Sequence, residues 1–113
     1  MKALDGRGLV DLHARSAATG SALLLLDVRE PWEVELAAIR LDGANAAFIP
    51  MGSIPAALDS IDRSQSVVCI CHHGARSAQV VAFLERNGFG SVYNLAGGID
   101  AWSCTVDPTV PRY

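Results

Sequence analysis

Val67-Val68-Cys69-Ile70-Cys71-His72-His73-Gly74-Ala75-Arg76-Ser77, running on through Ala78-Gln79-Val80-Val81-Ala82-Phe83-Leu84-Glu85-Arg86-Asn87-Gly88, carries three signals in succession. Val67 to Ile70 is a continuous apolar run, the pattern of a strand buried on both faces. Ser77 to Asn87 puts Val80, Val81 and Leu84 on one helical face, and Gly88 supplies the stop. Cys71 to Ser77 makes the turn between them. A strand therefore delivers a thiol to the opening of a helix, where backbone N–H groups lack intrahelical partners and the helix dipole is positive. Such a place holds an anion and favours charged sulfur over neutral thiol. The expectation is an accessible Cys71 sulfur ringed by inward-pointing amides.

Working outward, the chain alternates. Leu4, Leu9, Leu12 and His13 lie near helical spacing, and Gly20 closes the pattern. Ala22 to Leu26 reads as a second strand buried on both faces. Glu30 and Pro31 open a short helix, with proline in its first turn. Ala46 to Ile49 is a weaker strand before Pro50, and Pro55 to Leu58 is a helical turn. Ser91 to Leu95 is a further strand, and Ile99 to Trp102 begins a last helical turn after Gly97-Gly98. Alternation of this kind predicts an α/β fold with a mostly parallel sheet covered by helices on both faces. Ligands of such sheets collect beyond the carboxyl ends of the strands, where both Asp27-Val28-Arg29 and Cys71 fall. The residues after Trp102, with Pro108 and Pro111, read as an extended tail over 103–113.

Composition narrows the function. The 113 residues suit one domain over 1–113 able to bury a core without staples. Net charge is −3, and the eight arginines and Lys2 form no cluster, which argues against nucleic acid. The longest apolar run, Ala22 to Leu26, is far too short to cross a bilayer, and no basic start followed by an apolar stretch suggests a signal peptide. Cys69, Cys71 and Cys104 make no disulfide framework, so a reducing cytoplasm is the expected setting. The oligomeric state is not legible.

Each singled-out residue also has a plainer reading. An isolated Cys after an apolar strand is usually a small buried hydrophobe. That reading is accepted for Cys69 and rejected for Cys71, whose Gly-x-Arg-Ser context follows at once. Cys69, Cys71, His72 and His73 lack the spacing of metal ligands, so no metal and no cofactor are expected. His72 and His73 are read as side chains at the mouth of the site, tuning charge and acceptor choice, and His13 as a helix-surface residue. Cys104 is incidental unless it folds back towards Cys71 as a resolving thiol. Asp27 is read as structural, while Arg29 either ties loops together or frames the anion pocket. Trp32 and Trp102 are read as core or rim packing.

Taken together, several stretches resemble the single-domain rhodanese sulfurtransferases. They are Leu26-Asp27-Val28-Arg29-Glu30, Ile49-Pro50, Cys71 to Ser77, Asn87-Gly88-Phe89 and Leu95-Ala96-Gly97-Gly98-Ile99-Asp100-Ala101-Trp102. The tail Val106 to Tyr113 is similar to the end of small bacterial rhodaneses and of the rhodanese segment fused to some adenylyltransferases. The chain departs from the family at Ile39 to Ala44, where many members carry His-Ile-Pro-Gly-Ala. The resemblance implies a central, mostly parallel five-stranded sheet and a persulfide on Cys71. It also implies thiosulfate or another sulfane-sulfur donor, with cyanide, a small thiol or a protein as acceptor.

The chemistry fits those residue types. The carrier attacks as a thiolate and then holds a terminal S⁻. Amides of His72, His73, Gly74, Ala75, Arg76 and Ser77 can stabilise both anions. Gly74 permits the loop geometry, and the permanent charge of Arg76 suits a dianionic donor. A helix dipole alone supplies about 0.3–1 kcal/mol, or up to ~2 when partly buried, so several amides must add to it. Two alternatives stand beside the enzyme. One is a persulfide relay or binding module serving a partner in a sulfur-carrier pathway. The other is a related phosphatase or arsenate reductase, disfavoured because those phosphatases place five residues between Cys and Arg and this chain has four.

Overall fold

The computed structural model describes residues 2–113. Five strands, β1 (Lys2–Leu4), β2 (Leu23–Asp27), β3 (Asn45–Phe48), β4 (Ser66–Ile70) and β5 (Val92–Leu95), form one parallel sheet in the order β1-β5-β4-β2-β3. The helices are α1 (Gly6–Thr19), α2 (Pro31–Leu36), α3 (Ile54–Ala57), α4 (Ala75–Arg86) and α5 (Gly98–Thr105), with 3₁₀ turns on either side of α3. The parallel α/β architecture expected from the alternation is present.

Period-two side-chain placement makes two cores from one sheet. Leu24 and Leu26 of β2 join Val67 and Cys69 of β4 against Ile54, Val80, Val81 and Leu84. Leu23 and Leu25 join Val68 and Ile70 against Leu9 and Leu12 of α1 and Ile99 and Trp102 of α5. Each helix thus closes a face that the strands leave apolar. Register pairs Leu26 with Cys69 and Asp27 with Ile70, so Asp27 and Cys71 emerge at the same carboxyl edge.

Three differences from the sequence expectations have physical reasons. Strand β1 is three residues long and mostly exposed at the sheet edge, so it leaves no buried pattern, and Leu4 belongs to it rather than to the first helix. Helix α4 begins at Ala75 rather than Ser77, because its apolar face starts only in the second turn. Residues 103–105 are still helical, and the remainder is not an extended tail. Asp107–Val110 makes a turn, and Arg112 and Tyr113 fold back onto the domain. Trp102 packs in the core and Trp32, 61% exposed on α2, sets its edge against Tyr113, so the two divide between core and rim.

Candidate functional site

Cys71 follows the last residue of β4, and α4 starts four residues later. Gly74, at φ 104°, turns the chain into the helix. Its N–H donates to Cys71 Sγ at 3.0 Å. The Ser77 hydroxyl, one turn into α4, lies 3.3 Å from the same sulfur. That hydroxyl has one proton and three acceptors in reach: Cys71 Sγ, the Gly74 carbonyl and Asn94 Oδ1. It can swing towards sulfur when sulfur carries charge. The amides of Ala75, Arg76 and Ser77 open the helix and have no carbonyl acceptor among the described residues.

The loop backbone is pinned from the opposite side. Ile99 N–H donates to the Cys71 carbonyl at 2.9 Å, and Asp100 N–H donates to that of His72 at 3.1 Å. Asn94 Nδ2 donates to the Gly74 carbonyl at 3.1 Å. This close approach explains Gly98. A Cβ on Gly98 would lie 2.4 Å from the His72 carbonyl oxygen and 2.5 Å from that of Cys71.

Three expectations are corrected here. Cys71 is 1% exposed rather than accessible, because the pinned loop keeps the sulfur inside the α4-side core. One amide, that of Gly74, is directed at the sulfur itself, not a ring of them. Arg76 does not turn its charge on the pocket either. Its Nη1 and Nη2 make a bidentate pair with Glu33 Oε1 and Oε2 at 2.6 and 2.8 Å.

Arg29 has no room for an anion. Its Nε and Nη2 donate to the two oxygens of Asp27. Its remaining donors serve the carbonyls of Glu33 and Ala37 and the hydroxyl of Tyr113. All five guanidinium protons are used, and the bonds join β2, α2 and the C-terminal segment. Burial presses its pKa down, but the bonds and charges of Asp27 and Tyr113 outweigh it and the net shift is up.

His72 stacks between His73 and Tyr113, with both ring separations 4.0 Å, and its Nε2 is buried without a partner. His13 Nε2 lies 2.7 Å from the Asp42 carbonyl and ties α1 to the loop before β3. Burial pushes the Cys69 thiol up to about 12, which leaves it inert. Cys104 is exposed on α5. Among the described residues, no group of three His, Cys, Asp or Glu side chains is arranged to hold a metal ion, and no helix is long and apolar enough to cross a membrane.

Residues 9–104 match the family model described as a rhodanese-like domain. The chain belongs to the rhodanese-like family. A sulfurtransferase of Allochromatium vinosum is 41% identical over 81 residues, which cover 72% of this chain and 72% of that protein. The rhodanese-like/PpiC domain-containing protein 12 of Arabidopsis thaliana is 37% identical over 93 residues. That match covers 79% of this chain but only 30% of the plant protein's length. Among solved structures, a rhodanese-related protein of Thermoplasma volcanium superposes over 100% of both chains with a TM-score of 0.79 and 28% identity.

Three residues of this rhodanese-like domain escaped the sequence reading: Glu33, Asn94 and Tyr113. A signal existed for Asn94, a polar residue between Tyr93 and Leu95 in a strand otherwise suited to burial. None existed for the other two, because their partners lie 43 and 80 residues apart.

Glu33 carries a pH prediction. The Arg76 hydrogen bonds draw its pKa from 4.5 to about 2 against the opposing effect of burial, with help from the Tyr113 hydroxyl and the Glu30 N–H. A lowered folded pKa stabilises above the unfolded value and is lost as pH falls through the folded one. The pair should therefore contribute about 2–3 kcal/mol at neutral pH that disappears between pH ~4.5 and ~2. Urea unfolding across that range should fall more steeply for the parent protein than for Glu33→Gln. Parallel curves would contradict the assignment.

Proposed function

We propose that this rhodanese-like domain is a sulfurtransferase carrying sulfane sulfur as a persulfide on Cys71. The observation that carries the reading is the convergence of the Gly74 N–H and the Ser77 hydroxyl on Cys71 Sγ at the mouth of α4. The Cys71 thiolate attacks the outer sulfur of a donor such as thiosulfate. The donor's S–S bond breaks, and sulfite leaves with the electron pair. Cys71 then holds –S–S⁻. An acceptor nucleophile attacks the outer sulfur, and the same thiolate is the leaving group, so no external oxidant or reductant is needed. Preorganised donors are the main source of stabilisation at such a site. Here they are the Gly74 N–H and the Ser77 hydroxyl. Asn94 positions Ser77, and Glu33 positions Arg76, each by the bonds described above. Cyanide, a small thiol and a protein thiol are the candidate acceptors.

The burial of Cys71 favours one second reading, a relay that releases its sulfur only to a matched protein. Steady-state transfer from thiosulfate to cyanide separates the two. The enzyme reading expects sustained thiocyanate formation. The relay reading expects stable loading, slow release to cyanide and fast release to one partner. Phosphate-ester hydrolysis well above sulfur transfer would refute both.

A further inference from the structure

A thiol that is 1% exposed reacts only when something around it moves. The loop itself is poorly placed to give way, since its carbonyls are held by Ile99, Asp100 and Asn94. The segment after α5 is different. Beyond Asp107 it forms no strand or helix, and its one backbone hydrogen bond of its own is Val110 N–H to the Asp107 carbonyl. It is held beside the loop at two adjacent anchors, Arg112 and Tyr113. At one, Arg112 Nε and Nη2 grip Asp100 at 2.9 and 3.2 Å, and Asp100 also lies 3.9 Å from His73 Nδ1. That pair is exposed and holds weakly.

At the other anchor, the Tyr113 hydroxyl donates to Glu33 Oε2 at 2.7 Å and accepts from Arg29 Nη1 at 2.9 Å. The Tyr113 ring lies nearly parallel to that of His72, at 10°, with the edge of Trp32 against it at 79°. His72, the residue next to Cys71, is thereby clamped between Tyr113 and His73. His72 Nε2 is buried and unpaired beside this stack, an unfavourable state for a polar atom.

We propose that Tyr113, stacked on His72 beside the loop, is a latch that decides which nucleophiles reach Cys71. With the latch closed, bulky and protein-borne thiols are excluded. An acceptor protein gains access by displacing Tyr113 from His72, Glu33 and Arg29. The inference rests on Cys71 being the reactive thiol, but it is tested without sulfur transfer.

The test is alkylation of the full chain in a Cys104→Ser background, which removes the exposed competing thiol. Iodoacetamide and a bulky maleimide are the probes, and peptide masses report Cys71 and Cys69 separately. Tyr113→Ala should speed alkylation of Cys71 by about tenfold or more, the effect of removing about 1.4 kcal/mol of closing free energy. The gain should be larger for the maleimide. Tyr113→Phe keeps the stack on His72 and loses the two hydroxyl bonds, so it should fall between parent and Tyr113→Ala. Cys69, deep in the core, should stay unreactive throughout. Cys71 rates within about twofold of the parent in both variants would overturn the latch. So would Cys69 becoming reactive in step with Cys71, which reports opening of the whole core. A parent protein that takes no sulfur from thiosulfate yet shows the latch effect would sink the proposed function and support the latch.

Discussion

Cys71→Ser is expected to reduce sulfur transfer by on the order of 10³-fold or more, the usual consequence of removing a nucleophile. Serine matches cysteine in shape, and its oxygen can accept the Gly74 N–H that now reaches Sγ at 3.0 Å. The loop is held independently by Ile99, Asp100 and Asn94, so the variant should fold. The hydroxyl, however, stays protonated at neutral pH and cannot serve as a persulfide carrier. The loss should therefore appear in turnover with little change in the unfolding transition. Turnover retained at a tenth of the parent rate or above would end the assignment of Cys71. Turnover lost together with the fold would make the residue a packing element of the α4-side core.

The second large effect is on stability. Arg29→Lys should cost about 2–3 kcal/mol, from leaving several buried acceptors without a donor while the charge itself is kept. Lysine keeps the charge but offers one ammonium where the guanidinium offers a planar fork. The 2.9 and 2.6 Å bonds to Asp27 Oδ1 and Oδ2 cannot both be reproduced along with those to the Glu33 and Ala37 carbonyls and the Tyr113 hydroxyl. Asp27 would remain buried with half its partners. The midpoint of urea unfolding at neutral pH measures the cost. A loss below about 1 kcal/mol would show that water or rearrangement replaces the fork, and that Arg29 is not the tie its geometry suggests.

The loop at Cys71 was legible because its parts are contiguous. Strand, thiol, glycine and helix follow one another, and each leaves its own local mark. The buried runs of β2 and β4 were legible for the same reason. The network around the loop was not. Asp27, Arg29, Glu33, Arg76 and Tyr113 meet from β2, α2, α4 and the C-terminal segment, and no periodicity links them. Arg76 shows how this misleads. Its place in the loop suggested a charge aimed at a donor anion, yet a carboxylate 43 residues away takes its fork. The tail misled in another way. Two prolines favoured an extended segment, but the Arg112–Asp100 pair and the Tyr113–His72 stack bring it back over the domain. Edge strand β1 was lost because pairing through backbone bonds at an exposed edge requires no particular side chains.

Peptide-resolved mass measurement after exposure to thiosulfate tests the persulfide on Cys71 most directly. The expected result is a gain of one sulfur atom on the peptide bearing Cys71, reversed by cyanide and absent from the Cys71→Ser variant. An unchanged mass, or a gain carried by Cys104 instead, would contradict it.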